Sequence, residues 1–323
     1  MNQSVQVEFI LLGFPSIRDR WIIVFLLILA IYCFTVIGNL VIIMLVWTDL
    51  HLHTPMYFFL GNFSFMEIWY TTVIIPKTMA NIVTDMETIQ FAACIIQYYV
   101  FFSLGTTEIF LLSCMAFDRY LAICNPLRYS TIMRNGVCLR LSLSCWLGGF
   151  LCLMPPAVLI AHLKFCGPYI INHFFCDGPS LLRLSCIDTY LIELFHFILA
   201  LIVILLPFLL ILISYIFIIS TILRIPSGTG RNKAFSTCSS HLIVVLIFYG
   251  SLIFMYVRPK PINASEMNKA VAVFYTLVTP MLNPLIYCFR NTEVKKAMKM
   301  QCTKHVALKE DGCPVFSAIE YNF

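Results

Sequence analysis

The sequence predicts an all-α membrane protein, a bundle of seven transmembrane helices whose N-terminus lies outside the cell. Of its 323 residues, 60% are hydrophobic and only 11% are charged, and the mean hydropathy is +0.90. Such a chain cannot cover a folded surface with polar groups, so this composition excludes a water-soluble globular protein. Seven nearly uncharged runs, each of roughly 20 residues or more, are long enough to cross a bilayer as helices.

The seven runs, called spans 1 to 7, differ in the few ionisable side chains that they contain. Spans 1, 4 and 7 contain none, spans 2 and 3 carry one carboxylate each, and spans 5 and 6 carry one histidine each. All are continuously apolar, which excludes the alternating strands of an outer-membrane barrel. Helices are expected because lipid offers no partner for an unpaired peptide group. The spans cover residues 21–47, 56–76, 91–117, 141–161, 194–223, 234–257 and 270–289.

Prolines in spans 5 and 7 predict interruptions of helices that otherwise look continuous. Pro207 lies in span 5, and Pro280 and Pro284 lie in span 7. A proline is tolerated in a membrane where neighbours or waters satisfy the carbonyl groups that it frees, and it creates a hinge point. A packing kink is the alternative.

The orientation is predicted from the basic residues, which are retained on the cytoplasmic side of a membrane protein. With the N-terminus outside, most of the 21 Lys and Arg residues fall in the inner loops and the tail. The charges beside span 1 point the other way, because Arg18 and Arg20 flank its outer end. No cleavable signal peptide is evident, so span 1 is expected to act as its own insertion signal.

Four of the 14 cysteines favour the same orientation, because it places them at the oxidising outer face. Four cysteines can form disulfides in three ways. Asn2, in the sequon Asn2-Gln3-Ser4, would also lie outside and is a predicted glycosylation site, with a chance match as the alternative. The four outer cysteines are Cys94, Cys166, Cys176 and Cys186.

The segment that follows span 3 carries a charged triplet, Asp118-Arg119-Tyr120, at the inner end of the helix. An arginine beside a carboxylate can exchange between that carboxylate and an incoming partner helix. The alternative is that both charges only mark the membrane boundary. The triplet resembles the switch of rhodopsin-like G-protein-coupled receptors.

Several longer segments are similar to one branch of that superfamily, the olfactory (odorant) receptors. They are LHTPMYFFL at 52–60, MAFDRYLAICNPLRY at 115–129, KAFSTCSSHL at 233–242 and PMLNPLIY at 280–287. The outer loop from His173 to Cys186 resembles the class II, or tetrapod, type. The resemblance runs from about residue 8 to about residue 300, and only the tail lies outside it.

The resemblance implies roles for individual residues. It pairs Cys94 with Cys176 and Cys166 with Cys186, with reduced cysteines as the alternative. It also implies an activation switch in which Asn283, Pro284 and Tyr287 of span 7 face Tyr215 of span 5 and Arg119 of span 3. The residues of this switch and of G-protein coupling are Asp118, Arg119, Tyr120, Tyr215, Asn283, Pro284 and Tyr287.

Glu67 in span 2 and Glu108 in span 3 are carboxylates at membrane depth. Placing a charge inside the membrane costs about 3 kcal/mol or more, so the charge needs a partner or a water-filled cavity. We therefore expect the two side chains to face each other and to share a proton or bind a cation such as Na⁺. Asn39 and Asn283 are expected to complete this polar cluster. A neutral hydrogen-bonded pair is the alternative.

A ligand site between helices should be concave and largely apolar, with a few polar groups. Span 3 supplies Phe101, Gly105 and Ile109 on one face, with Phe102 and Thr106 beside them. None of the predicted lining residues is charged, so we expect a small, neutral, hydrophobic ligand, held by packing and by one or two hydrogen bonds from Thr106, Tyr249 or Tyr256. Ordinary helix packing is the alternative for each residue. Matching the family's switch positions adds Leu199, Val203, Ile204, Tyr249, Leu252, Ile253, Tyr256, Val273 and Thr276.

Neither a metal site nor an enzyme is predicted. His173, Cys176 and Asp177 in the outer loop, with His162 and His196 nearby, lack the tight spacing of zinc ligands. Glu67 and Glu108 alone do not form a nucleophile and base set.

The predicted organisation is an extracellular N-terminus at 1–20, a receptor domain at 21–290 and a cytoplasmic tail at 291–323. The tail begins with a short amphipathic helix at about 291–300, which is expected to lie on the membrane. A basic rim on the cytoplasmic face is suited both to acidic lipid headgroups and to a G-protein helix, with lipid contact alone as the alternative for all but Arg119. It consists of Arg119, Arg128, Arg134, Arg224, Arg231 and Lys233.

The resemblance implies an odorant receptor that binds an odorant within the bundle and activates a stimulatory (olfactory) G protein, which raises cyclic AMP. Its location would be the plasma membrane, in the cilia of olfactory sensory neurons, and no nucleic acid or cofactor is expected. One alternative is a rhodopsin-like receptor for an endogenous lipid-like ligand outside the nose. A transporter is the other, although the chain shows no internal repeat.

Overall fold

The computed structural model describes residues 8–14, 20–84, 87–226, 228–253, 265–290 and 292–306. Within these residues, six helices are long and apolar enough to cross a membrane, and Cys238–Leu252 is a shorter apolar helix. The predicted fold class, a seven-helix membrane bundle, is confirmed. The helices are α1 (Trp21–Thr48), α2 (Pro55–Thr84), α3 (Phe91–Cys124), α4 (Pro126–Ile132), α5 (Asn135–Ala161), α6 (Gly178–Leu182), α7 (Tyr190–Leu223), α8 (Gly228–Leu252), α9 (Ser265–Val273), α10 (Thr279–Arg290) and α11 (Thr292–Val306).

Several helices extend beyond the apolar runs that predict them, because a run marks only the part suited to hydrocarbon. Helix α2 continues through Pro76 to Thr84. Helix α11 passes its predicted end near residue 300 and is anchored to the bundle. Its Val294 and Ala297 are buried, and Gln301 Nε2 donates a hydrogen bond to Thr48 Oγ1 of α1 at 3.0 Å.

The helix of span 7 changes from α-helical to π-helical winding just before Pro280 and then continues as an α-helix. Residues Phe274–Val278 form a π-helical turn, and the Thr279 N–H donates to the Phe274 carbonyl. A proline lacks the N–H and crowds the carbonyl four residues earlier, so the wider turn accommodates Pro280. At Pro207 and Pro284 the predicted interruption is wrong, because α7 and α10 continue through them. A helix can bend at proline and keep its other hydrogen bonds.

Helix α3 is the central helix of the bundle. It contacts α2, α5, α7 and α8, and its buried residues extend from Cys94 near one end to Leu121 near the other. The hydrophobic cluster that fills the bundle includes side chains from all of these helices. Phe101, Glu108 and Arg119 therefore lie at successive depths along one central element.

A small sheet covers the outer end of the bundle, the end that carries the N-terminal segment. Strand β1 (Glu8–Leu11) pairs antiparallel with β2 (Thr88–Gln90) and parallel with β3 (Ile170–Ile171). Phe9 is fully buried, and its ring centroid lies 5.3 Å from that of Phe165. Strands this short carry too little alternation to be predicted from the sequence.

The packing of α5 on α3 depends on Gly149. A Cβ atom at this position would lie 2.7 Å from the Ser103 carbonyl oxygen and 3.0 Å from the Thr107 nitrogen, both backbone atoms of α3. Such an overpacked site costs about 1–3 kcal/mol, because the two helices must move apart. Gly149→Ala should therefore lower the thermal unfolding temperature of the purified protein.

Gly136 is the matched control in the same helix, since no heavy atom lies within 4 Å of its Cβ position. Gly136→Ala should leave the unfolding temperature unchanged or raise it slightly, because alanine favours the helix. Equal effects of the two substitutions would contradict the packing argument.

Candidate functional site

At the inner end, where α3 ends, Asp118 and Arg119 form an ion pair. Arg119 Nη2 and Nε lie 2.5 and 3.1 Å from Asp118 Oδ2. Asp118 is fully buried, and its Oδ1 accepts a hydrogen bond from the Tyr129 hydroxyl at 2.7 Å. Burial and the neighbouring Asp118 raise the pKa of Tyr129, so its hydroxyl remains a donor. Tyr129 is absent from the predicted switch, although it lies in the motif string after span 3.

Tyr215 of α7 makes its hydrogen bonds with α8. Its hydroxyl donates to the Cys238 carbonyl at 3.2 Å and lies 2.8 Å from His241 Nδ1. His241 Nε2 in turn lies 3.1 Å from the Leu112 carbonyl oxygen. One buried imidazole therefore links α3, α7 and α8. The sequence marks His241 only as the single ionisable group of span 6, and it does not indicate the depth at which the ring meets its neighbours.

Two further switch residues, Tyr287 and Tyr120, pack against phenylalanine rings. Tyr287 of α10 is buried and meets Phe63 edge-on, with ring centroids 6.3 Å apart. Its hydroxyl has no hydrogen-bond partner within the described residues. Tyr120 lies beside Phe217 of α7, with centroids 6.0 Å apart. Pro284 lies at the contact between α10 and α1. A Cβ atom added to Gly38 of α1 would lie 2.9 Å from the Cβ atom of Pro284.

The two membrane carboxylates lie close together. Asn283 Nδ2 donates a hydrogen bond to Glu67 Oε1, and the carboxyl group of Glu108 interacts electrostatically with that of Glu67. Asn39 does not join them by a hydrogen bond, because its amide donates to the Thr35 carbonyl of its own helix at 3.0 Å. Within the described residues, the buried oxygens without a hydrogen-bond partner include Asn39 Oδ1, Ser64 Oγ, Glu67 Oε2, both Glu108 carboxylate oxygens and Asn283 Oδ1.

The predicted ligand residues lie mostly inside the main hydrophobic cluster. Tyr256 and the glycosylation position Asn2 lie outside the described residues. Gly105 is half-buried, and its Cβ position faces Tyr70 of α2 at 3.6 Å. The residues that are buried or packed against the cluster are Phe101, Phe102, Ile109, Leu199, Val203, Ile204, Tyr249, Leu252, Ile253 and Val273, and Thr106 and Thr276 are buried polar residues.

The hydroxyl groups near this site differ in their partners. The Tyr249 hydroxyl donates to the Ile109 carbonyl at 3.5 Å, and Thr276 Oγ1 donates to the Ala272 carbonyl of its own helix at 2.7 Å. Both therefore already have backbone partners. Thr106 is left as the best placed of the predicted hydroxyl donors for a ligand.

The outer loop between α5 and α7 lies directly on the predicted ligand site. The ring of Phe175 packs 5.0 Å from Phe101 and 6.5 Å from Phe102, measured between centroids. The Cys176 N–H donates to Gln97 Oε1 of α3 at 3.0 Å. This loop therefore closes the outer end of the site.

Two disulfides hold this loop. Cys94 at the start of α3 is bonded to Cys176, with Cα atoms 5.5 Å apart. Cys166 is bonded to Cys186 within the loop, with Cα atoms 5.3 Å apart. These are the two pairs that the family resemblance implies.

A buried charge lies at the outer end of the bundle, beyond the predicted ligand residues. Lys269 of α9 is fully buried, and its Nζ lies 6.0 Å from the ring centroid of Phe14. Phe14 stacks on Phe174 at 5.3 Å, and the Gly13 N–H donates to the His173 carbonyl at 3.3 Å. Lys269 directly precedes span 7 in the sequence, and nothing in the sequence indicates that it is covered.

Asp177, beside the disulfide, provides a pH-dependent contribution to stability. Burial raises the pKa of Asp177 to about 7, although Arg183 opposes the shift. The folded protein therefore binds this proton more tightly than the unfolded chain, so the stabilisation is complete below the ordinary pKa of 3.8 and is lost as the pH rises from there to about 7.

Asp177→Asn should therefore stabilise the protein most at alkaline pH, where the native carboxyl group is buried and charged. Thermal unfolding of the two proteins would be compared across the range from the ordinary pKa of 3.8 to the folded-state pKa of about 7. A stability difference that does not grow as the pH rises would contradict this assignment.

A separate groove of about 660 Å³ lies between the outer ends of α2 and α3, beneath β1 and β2. Val73, Ile96 and Val100 form its apolar wall, and Lys77 and Glu8 lie along it. None of the predicted ligand residues lines this groove. It is therefore distinct from the site between the helices.

Comparison with known proteins agrees with this architecture. A family model described as "Olfactory receptor" matches residues 28–304. The chain is 51% identical over 297 residues to human olfactory receptor 6F1, covering 92% of this chain and 96% of the relative. It is 53% identical over 298 residues to rat olfactory receptor 287, with the same coverage. Human olfactory receptor 11L1 is 49% identical over 298 residues, covering 92% of each chain. The chain belongs to the olfactory receptor family, whose members are multi-pass plasma-membrane receptors and not enzymes.

Proposed function

We propose that this receptor binds a small, neutral, hydrophobic odorant between its helices and activates a stimulatory (olfactory) G protein, which raises cyclic AMP. The observation that carries the coupling step is the buried Asp118 carboxylate, which holds Arg119 at the inner end of α3. A guanidinium group held by one carboxylate can transfer to a partner helix when the bundle rearranges. Arg119 is therefore the proposed contact for the G protein.

The proposed odorant site lies further out along α3, between Phe101 and Ile109 and the facing residues of α7, α8 and the span 7 helix. Its lining is aliphatic and aromatic, so packing would supply most of the affinity. Thr106 would supply a hydrogen bond. An odorant that favours one arrangement of α7 and α8 against α3 shifts the population toward that arrangement. His241 is well placed to transmit this change, because it touches all three helices.

We further propose that Glu67 and Glu108 share a proton or bind Na⁺ in the inactive arrangement. The buried carboxylate and amide oxygens that lack a partner are ligands suited to a hard cation. Glu67, Glu108 and Asn283 would hold the cation. A cation that binds the inactive arrangement more tightly than the active one would stabilise the inactive arrangement. It would therefore oppose activation, by an amount set by the difference between its two affinities.

Replacing external Na⁺ with a large organic cation should therefore raise odorant potency in the native receptor and have no effect in Glu108→Gln. The measurement is a pair of concentration–response curves for each protein. A native receptor that is insensitive to Na⁺ would favour the shared proton over the ion.

The proposed function is tested by measuring cyclic AMP in cells that express the chain with an olfactory stimulatory G protein, against a diverse panel of neutral odorants. A saturable rise for some odorants, absent in cells without the chain, is expected. Activation by endogenous lipid-like molecules and not by volatile odorants would favour the alternative ligand class. Solute flux that is independent of the G protein would favour a transporter.

A further inference from the structure

The outer end of the bundle holds a polar cluster that the proposed ligand site does not yet explain. Lys269 is fully buried there. His173 is 4% exposed, and neither of its ring nitrogens has a hydrogen-bond partner within the described residues. Buried polar groups in proteins are nearly always paired, so an imidazole with no partner among the described residues is a candidate to bind a ligand.

Aromatic rings enclose this imidazole. Its centroid lies 4.8 Å from that of Phe174, in a stacked arrangement, and 4.3 Å from that of Phe175, edge-on. Phe14 also stacks on Phe174, and the Lys269 ammonium group lies over the Phe14 ring. Three separate parts of the chain, the N-terminal segment, the outer loop and α9, thus build one enclosure.

The imidazole is neutral in this enclosure. Burial and the charge of Lys269 lower the pKa of His173 to about 3. A neutral imidazole keeps one N–H donor and one bare nitrogen. The enclosure therefore contains an ammonium group and an N–H group, two donors within electrostatic reach of each other.

We propose that Lys269 and His173 form a subsite that binds the carbonyl oxygen of a neutral ketone or aldehyde odorant. A carbonyl oxygen has two lone pairs and no proton, so it matches two donors and leaves the ligand uncharged. The inference rests on the proposed function, because the ligand's hydrocarbon tail would occupy the site between the helices. The subsite and the site between the helices are continuous, because the ring of Phe175 contacts both His173 and Phe101.

The test compares a straight-chain methyl ketone with its methylene isostere, in which C=CH₂ replaces C=O, across a series of chain lengths. Cyclic AMP responses would be measured for the native receptor and for Lys269→Met, Lys269→Arg and His173→Phe, each with surface expression quantified. Lys77→Met is the matched control, because this lysine lies at the outer end of α2 in the separate groove. The ketone should be at least about tenfold more potent than its isostere on the native receptor, as expected for hydrogen bonds from a charged donor.

The potency ratio should fall to near one in Lys269→Met and His173→Phe, persist in part in Lys269→Arg, and remain unchanged in Lys77→Met. If Lys269→Met does not reach the cell surface, His173→Phe decides, since phenylalanine preserves the stacking. A ratio that the variants do not change would overturn the subsite. So would a matched alcohol that is more potent than the ketone, because a hydroxyl suits the bare nitrogen instead.

Failure of the subsite and failure of the proposed function give different results. If hydrocarbons or alcohols activate the receptor but ketones and aldehydes do not, the carbonyl subsite is wrong and the receptor function stands. If no odorant raises cyclic AMP despite surface expression, both proposals fail.

Discussion

Replacing Arg119 with alanine should abolish odorant-stimulated cyclic AMP and leave odorant binding largely intact. Arg119 lies at the inner end of α3, whereas the proposed odorant residues of the same helix lie between Phe101 and Ile109. Arg119 is the proposed contact for the G protein, and truncating one partner of a hydrogen-bonded charge pair at an interface costs about 2–5 kcal/mol. This corresponds to a loss of G-protein coupling of about thirtyfold or more. Concentration–response curves for cyclic AMP, together with direct odorant binding to the purified receptor, would measure both effects.

Asp118→Asn is the matched control, because it breaks the same ion pair from the other side. Arg119 would then be released from its carboxylate and free to meet the G protein, so basal cyclic AMP should rise. The two substitutions are expected to have opposite signs. If both lowered signalling equally at equal surface expression, the pair would act only as a structural contact and the switch proposal would fail.

Replacing Cys94 or Cys176 with serine should remove the receptor from the cell surface. This disulfide closes 82 residues of chain, and the chain-entropy relation gives about 4.5 kcal/mol for a loop of that length. Both cysteines are fully buried, so the substitution also leaves a hydroxyl and an unpaired thiol inside the outer end. Flow cytometry of an epitope-tagged receptor on intact cells would measure the loss.

The second disulfide provides the internal comparison. Cys166–Cys186 closes 20 residues, for which the same relation gives about 3.3 kcal/mol. Its loss should therefore reduce surface expression less than loss of the first bridge. The double variant Cys94→Ser/Cys176→Ser should behave like either single variant. Normal expression of Cys94→Ser would contradict a structural role for the bridge.

The structure also changes the account of ligand chemistry. Tyr249 is predicted as a hydrogen-bond donor to the ligand, yet its hydroxyl meets the Ile109 carbonyl. Lys269 adds a buried charge beyond the predicted site. Hydrogen-bond partners depend on the rotation and depth of each helix, which a linear pattern does not specify. Residue type alone therefore names candidate donors without showing which of them already have partners.

The sequence by itself determined the membrane-spanning helices, the family and the residue types of the switch. These follow from runs of apolar side chains and from contiguous motifs, which are local properties of the chain. The approach of Glu108 to Glu67 also follows from local reasoning, because isolated charges in lipid require a partner.

Only the tertiary structure decided which side chains meet across helices. Tyr215 pairs with His241, and Lys269 lies buried beside the N-terminal segment and the outer loop. Each of these contacts joins residues far apart in the chain, at a depth set by helix packing. Local periodicity carries no information about that depth, so the contacts of the switch and of the outer subsite had to come from the folded bundle.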